Sequence, residues 1–316
     1  MINMKDMCGG VDVGGTTVKI GLFRIDGKLV TSFEIPTRKE ENGKYILCDI
    51  AAAIENCLEE QAVDKERIAG VGIGVPGPVL DDGTVNNCVN LGWGVINVSE
   101  ELEQLIHLPV KAGNDATVAA LGEMWQGGGK GAESLVLFTL GTGVGGGIII
   151  NGKPVNGEYG AGGEVGHMCV VYDETETCSC GKKGCLEQVA SATGIVKETK
   201  KLLAASDKAS ALRDYENVTA KAVFDEAKNG DILAMEAVGK LGKYLGIAMA
   251  NVACVVDPQV FAIGGGVSKA GQILIDAIER NYRNYAFHAS REAKVVLAQL
   301  GNDAGIYGAA RLVIED

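Results

Sequence analysis

The apolar residues of the chain fall first into three short β-rich runs, VDVGG, VKIGLFRID and KLVTSFEIPT. The turn-forming pairs Gly15-Thr16 and Asp26-Gly27 separate them, which predicts a β-meander over about the first 36 residues. The spacing then changes. Ile46, Leu47, Ile50, Ile54 and Leu58 recur at helical intervals and predict a helix over 45–62. IAGVGIGV is a continuous apolar run, as expected of a buried strand, and VKAGN at 110–114 is another short strand before a helix over 116–126. The theme then returns: SLVLFTL, a glycine turn and GGIIING form a second meander from about Ser134. Helices follow over about 194–205, 219–228 and 232–254, then the strand VFAIGG, then helices over about 268–287 and 304–314.

Strands and helices occurring twice in the same sequence read as two α/β lobes. The expected boundary lies near residue 116: lobe one is 1–116 with about 301–316 returning to it, and lobe two is 117–300. Glycine changes the picture most, at 45 of 316 residues. Without a repeat period, so many glycines imply tight turns and close backbone approaches rather than a fibrous repeat. The formal net charge of −12 disfavours nucleic acid and anionic membrane as partners but leaves phosphorylated ligands open, because backbone amides bind phosphate without cationic side chains. No apolar run is long enough to span a membrane, and MINMKDMCGG lacks an apolar signal core, so a cytoplasmic protein is expected. Its nine cysteines are then thiols or metal ligands.

Three glycine-rich segments are candidate phosphate sites: Asp12 to Lys19 (DVGGTTVK), Leu140 to Gly147 (LGTGVGGG) and Ile263 to Ser268 (IGGGVS). In the first two, a strand ends in Gly and Thr, turns, and a strand leaves; glycine admits an anion to the backbone and threonine adds a hydroxyl donor. Other nucleotide motifs fail. Gly147 to Lys153 has the spacing of a phosphate-binding loop, but Pro154 replaces the hydroxyl residue. The GxGxxG matches at Gly72 and Gly141 run into prolines and a strand, not a helix.

Cys178, Cys180 and Cys185 lie within CSCGKKGC, and His167 precedes them by eleven residues. Three thiolates and an imidazole make a closed tetrahedral zinc set, which organises a loop and leaves no position for a catalytic water. Cys8, Cys48, Cys57, Cys88, Cys169 and Cys254 read as small core residues. Among carboxylates, Asp115 sits between a strand end and a helix start, where it serves either as a helix cap or as a site residue. Glu164 and Glu187 flank the metal loop, either as solvated charges or as hydrogen-bonding groups for a polyhydroxylated ligand.

These residues resemble, in order and over nearly the whole chain, the ROK family of sugar kinases and repressors. DVGGTTVKIGLF, GIGVPGPV, NLGW, NDAT, LGTGVGGGIIING, GEVGHM, CSCGKKGCLEQVAS and FAIGGGVS carry the resemblance. It implies a two-lobed actin/hexokinase-like (ribonuclease H-like) ATPase fold with a structural zinc loop, and an ATP-dependent hexose 6-kinase of glucokinase type. ATP and Mg²⁺ would be held between the lobes by Asp12, Gly14, Gly15, Thr16, Thr17 and Lys19 on one side and by Gly141, Thr142 and Gly143 on the other. Gly264, Gly265 and Gly266 would lie under the adenosine. Asp115 would be the general base. Gly77, Asn90, Asn114, Glu164, His167 and Glu187 would bind the sugar, and His167, Cys178, Cys180 and Cys185 would hold Zn²⁺. The hexose itself stays open among glucose, N-acetylmannosamine, N-acetylglucosamine, fructose and allose. Repressors of the family carry an N-terminal DNA-binding domain. The first phosphate strand here starts by about residue 8, so an enzyme is expected, assembled as a homodimer or homotetramer.

Overall fold

The computed structural model describes residues 5–314. Along the chain lie β1 (Met7–Val13), β2 (Thr17–Arg24), β3 (Leu29–Pro36), α1 (Glu40–Gly43), α2 (Ile46–Glu60), β4 (Ile68–Val75), β5 (Thr84–Cys88), β6 (Trp93–Asn97), α3 (Val98–Ile106), β7 (Val110–Asn114) and α4 (Asp115–Gln126). There follow β8 (Leu135–Leu140), β9 (Val144–Ile150), β10 (Lys153–Pro154), α5 (Glu187–Ala190), α6 (Ala192–Ala205), α7 (Ala220–Lys228), α8 (Ile232–Val256), β11 (Val260–Gly264), α9 (Gln272–Tyr285), β12 (Lys294–Leu297) and α10 (Ala304–Leu312). No helix among the described residues is long and apolar enough to cross a membrane.

The chain divides into two compact units. The first comprises the segments up to Gly131, Gly147–Gly163 and Leu300 onward; the second comprises Ala132–Gly146 and Glu164–Gln299. The expected boundary at 116 falls at the start of α4, and this helix belongs wholly to the first unit. The reason is its packing. Gly122 of α4 and Gly308 of α10 let the two helices meet backbone to backbone: a Cβ on Gly308 would stand 1.5 Å from the Val118 carbonyl oxygen.

The first unit is built on a sheet of order β3-β2-β1-β4-β7, with β1–β2 and β2–β3 antiparallel and β1–β4 and β4–β7 parallel. Its two faces are filled differently. Ile46, Ile50 and Ile54 of α2 and Val98, Leu102 and Ile106 of α3 pack with Val11, Ile20 and Ile73 of the sheet. The other face receives α10 through Cys8, Phe23, Ile306 and Ala310. That helix comes so close that a Cβ on Gly72 of β4 would sit 1.7 Å from the Ala309 carbonyl oxygen. Part of the glycine excess is therefore a packing device. Phe23 and Tyr307 stack edge to face at 4.7 Å between ring centroids.

The second unit repeats this order. Its sheet runs β10-β9-β8-β11-β12, with β8, β11 and β12 parallel. The chain passes from the second unit back to the first within β9, so β10 and the last residues of β9 are counted with the first. Both meanders predicted from sequence are present. Seven elements go beyond the prediction: α1, β5, β6, α3, β10, α5 and β12. The predicted helix over 268–287 is interrupted at Gly271, whose φ of 76° ends a 3₁₀ turn over Gly266–Ala270 before α9 begins.

Cys8, Cys57 and Cys88 are buried as expected, whereas Cys48, Cys169 and Cys254 are exposed. This corrects the reading of all six as core residues. Cys48 and Cys254 lie on helices, where apolar periodicity leaves the side of a single cysteine undetermined.

Candidate functional site

In the first unit, the parallel register aligns the carboxyl ends of three strands. Asp12 of β1 stands opposite Gly74 of β4, and Val75 of β4 stands opposite Asn114 of β7. Asp12, Gly77, Asn114 and Asp115 therefore emerge along one edge, where open α/β sheets commonly bind ligands.

Asn114 starts α4. Its Oδ1 accepts from the amides of Ala116 at 3.0 Å and Thr117 at 3.1 Å, and its Nδ2 donates to the Gly77 carbonyl at 3.1 Å. Asn114, rather than Asp115, is thus the cap of α4. Asp115 is the first helical residue. It is exposed, and its Oδ1 accepts from the Ala116 amide at 2.7 Å.

Asp12 is largely enclosed, and burial raises its carboxyl pKa to about 6, with the Asp115 charge adding to the rise and Lys19 opposing it. Lys19 faces Asp12 across the β1–β2 ladder and forms an ion pair with Asp303, just ahead of α10. The Asp12 carboxylate lies on Gly305 of the same helix, where a Cβ would come within 2.2 Å of Oδ2. Gly15, Thr16 and Thr17 are exposed in the β1–β2 turn. The turn is tied down by Thr37, whose Oγ1 donates to the Gly14 carbonyl at 2.8 Å and whose amide donates to the Thr16 carbonyl at 2.9 Å. Asn90 is exposed in the turn between β5 and β6.

In the second unit, two of the three glycine segments meet. Gly264 pairs with Thr139, and a Cβ on Gly265 would stand 2.5 Å from the Leu140 carbonyl oxygen, next to Gly141. Gly266 and Val267, with Ala220, Phe224 and Lys269, line a cavity of about 250 Å³. The Thr142 carbonyl accepts from Thr193 Oγ1 at 2.8 Å, and the Gly141 carbonyl accepts from the Ala192 amide at 2.8 Å, which joins the turn to the start of α6.

His167, Cys178, Cys180 and Cys185 present one donor atom each, all within 4.8 Å of one another. Cys180 Sγ and Cys185 Sγ are 3.6 Å apart, and Cys178 Sγ is 3.8 Å from His167 Nδ1. A tetrahedral zinc with bonds of about 2.3 Å to sulfur separates its sulfurs by about 3.8 Å. The donor set therefore fits zinc in both type and spacing. Burial pushes the Cys185 thiol up to about 12, and the neighbouring thiols add to the rise. Three thiolates do not coexist here without a cation, so metal binding would release protons.

Glu187 links this loop to the glycine turn. Its Oε1 accepts from Cys178 Sγ at 2.9 Å and Ser179 Oγ at 3.1 Å, while its Oε2 lies where a Cβ on Gly143 would be 2.5 Å away. Glu164 Oε2 is 3.9 Å from His167 Nε2, so the imidazole presents Nδ1 to the sulfurs and Nε2 toward Glu164. A cavity of about 620 Å³ opens here, lined by Thr142, Gly143, Ser179, Glu187, Thr193 and Lys197. A further cavity of about 450 Å³, by Lys5, Glu103 and Lys111, lies at the amino ends of β1, β4 and β7 and contains none of the site residues.

Sequence reading missed Thr37, Thr193, Asp303 and Gly305. One signal was present: Asn302-Asp303-Ala304 before α10 repeats the tripeptide Asn114-Asp115-Ala116 that starts α4.

The model of the ROK family matches residues 8–316. A glucokinase from Halalkalibacterium halodurans is 42% identical over 309 residues, covering 96% of this chain and 94% of the relative. Among solved structures, a ROK family glucokinase from Streptomyces griseus in complex with glucose and AMPPNP is 34% identical, with a TM-score of 0.73 over 97% of this chain and 98% of that one. A ROK hexokinase from Thermus thermophilus is 32% identical, with a TM-score of 0.79 over 96% and 97%.

Proposed function

The chain belongs to the ROK family, and from that premise we infer that it is a sugar phosphotransferase, an ATP-dependent glucokinase that forms glucose 6-phosphate and ADP. The observation that carries the reading is Asp115, exposed on the first turn of α4 beside the half-buried Asp12 at the edge where β1, β4 and β7 end.

Asp115 accepts the proton of the sugar 6-hydroxyl while that oxygen attacks the γ-phosphorus; the new O–P bond forms as the bond to ADP breaks. A positioned base contributes about 10²–10⁴-fold. The Asn114 cap fixes the start of α4 and hence the Asp115 side chain, and through Gly77 it ties that helix to the end of β4. With one amide hydrogen left over, Asn114 still has a donor for the sugar, and Gly77 and Asn90 are further candidates. Gly14, Gly15, Thr16, Thr17 and Lys19 are the phosphate-binding candidates of the first unit, and Gly141, Thr142 and Gly143 are those of the second. Gly264, Gly265 and Gly266 are the candidates for adenosine, and Gly266 lines the cavity of about 250 Å³ that would take it.

Mg²⁺ would supply charge neutralisation at the phosphates. Asp12 would hold it: this largely enclosed carboxylate at the end of β1 has the acid Asp115 beside it, and a cation there neutralises both. Zn²⁺ would be held by His167, Cys178, Cys180 and Cys185, with a structural role. Glu187, Glu164 and the Nε2 side of His167, carried on that ordered loop, are then the candidates for the ring hydroxyls. A cytoplasmic homodimer or homotetramer is the expected form, which light scattering on the purified protein measures.

The test is ADP release with Mg-ATP against glucose, mannose, fructose, N-acetylglucosamine and N-acetylmannosamine. Turnover with glucose above the others supports the reading. Turnover with an N-acetyl sugar alone keeps the phosphotransfer and replaces the substrate. Absence of turnover with every sugar, in zinc-containing protein, refutes it.

A further inference from the structure

The side chain of Asp303 has no capping task, although it stands at the start of α10: it makes no cap hydrogen bond. Its partner is Lys19 Nζ, in an ion pair that spans the chain from β2 to the final helix and leaves the lysine side chain 21% exposed. The loop before it is held from below. Glu123, 1% exposed, accepts from the Leu300 amide at 2.8 Å and from the Gly128 amide at 2.8 Å. The first turn of α10 thus has a fixed place against β1, with Gly305 touching the Asp12 carboxylate. Lys19 stands between two acids, Asp12 opposite it on β1 and Asp303 at the helix head.

We propose that Asp303 is the positioning residue of Lys19: it holds the ammonium at the mouth of the 14–17 turn, apart from Asp12, so that the last helix of the chain sets the affinity for the nucleotide phosphates. Without Asp303, the four-carbon stem of Lys19 is free to fold its charge onto Asp12, where it no longer serves an incoming phosphate. The acid at position 303 suits this task because the amino end of α10 stabilises its negative charge. The proposal rests on the reading of the 14–17 turn as a phosphate site, and the experiment below separates the two.

Calorimetric titration of the full-length protein with Mg-AMPPNP, which binds without turnover, compares wild type, Asp303→Asn, Asp303→Glu, Lys19→Met and the double variant Asp303→Asn/Lys19→Met. The expected weakening for Asp303→Asn is about five-fold, the upper range for a single partly exposed ion pair. Asp303→Glu restores binding to within about two-fold, and glucose binding without nucleotide is unchanged. If Asp303 acts only through Lys19, the double variant binds no more weakly than Lys19→Met alone. Wild-type affinity in Asp303→Asn overturns the proposal. So does a double variant weaker than Lys19→Met by the full five-fold factor, which would make the ion pair a mere anchor of α10. Failure of wild type to bind the nucleotide, or wild-type affinity in Lys19→Met, overturns the phosphate reading itself and the proposal with it.

Discussion

The carboxylate of Asp12 carries an electrostatic cost in the folded protein, and the size of that cost follows from its surroundings. Burial is the main cause that lifts its carboxyl from the usual 3.8 to about 6, and the Asp115 charge adds to it. A carboxyl with a raised native pKa binds its proton more tightly in the folded chain than in the unfolded one. Between pH 4 and 6 the native state therefore holds more protons, and stability falls as pH rises through that window. Above about pH 6 the whole cost persists. Roughly two pKa units correspond to about 3 kcal/mol, an upper bound for a carboxylate that water partly reaches. Asp12→Asn keeps the shape against Gly305 and removes the charge. It is expected to stabilise the nucleotide-free, Mg²⁺-free protein by about 1–3 kcal/mol at pH 7.5, a rise of roughly 2–6 °C in melting temperature. At pH 4.5 the gain shrinks toward zero, and turnover is lost at both. Circular dichroism melts across pH 4.5–8 measure this. A variant less stable than wild type at pH 7.5, or one offset equally at both ends of the range, refutes the reasoning.

Other outcomes follow from single contacts. Asp115→Asn is expected to retain glucose and nucleotide binding while kcat falls about 10²–10⁴-fold; calorimetry with steady-state kinetics separates the two effects. Cys180→Ser is expected to bring the zinc content from one per chain to none and to raise the KM for glucose, as read by elemental analysis and kinetics; a variant that keeps its zinc removes Cys180 from the donor set. Gly308→Ala places a Cβ 1.5 Å from the Val118 carbonyl, a backbone atom that cannot rotate aside. A loss of about 3 kcal/mol or more is expected, visible in denaturant unfolding.

The strands were legible because they are buried and bounded by turns: IAGVGIGV lies between β1 and β7 and has no polar face to blur its pattern. Elements with less burial escaped. β12 has four residues, of which only Val295 is buried, so periodicity has little to register. In α3, Asn97 accepts from the Glu100 amide at 3.0 Å, a cap signal that the hairpin just before it obscures. The site followed the same rule. Asp12, Asn114 and Asp115 stand at strand ends that sequence locates, and CSCGKKGC declares its chemistry by spacing alone. Asp303 does not, because its role depends on the helix returning across almost the entire chain to reach Lys19, a separation no local pattern encodes. The boundary at 116 missed for a related reason: α4 is held by α10, a contact that depends on where the last segment folds.

The most direct test of the account is detection of glucose 6-phosphate itself, by ³¹P NMR, after incubation with glucose and Mg-ATP, with Asp115→Asn run in parallel. Wild type is expected to convert the sugar into a 6-phosphate with equimolar ADP, and the variant to form at most about one hundredth as much in the same time. Phosphorylation at another hydroxyl, or equal product from the two proteins, contradicts Asp115 as the base that delivers the 6-hydroxyl to the γ-phosphate.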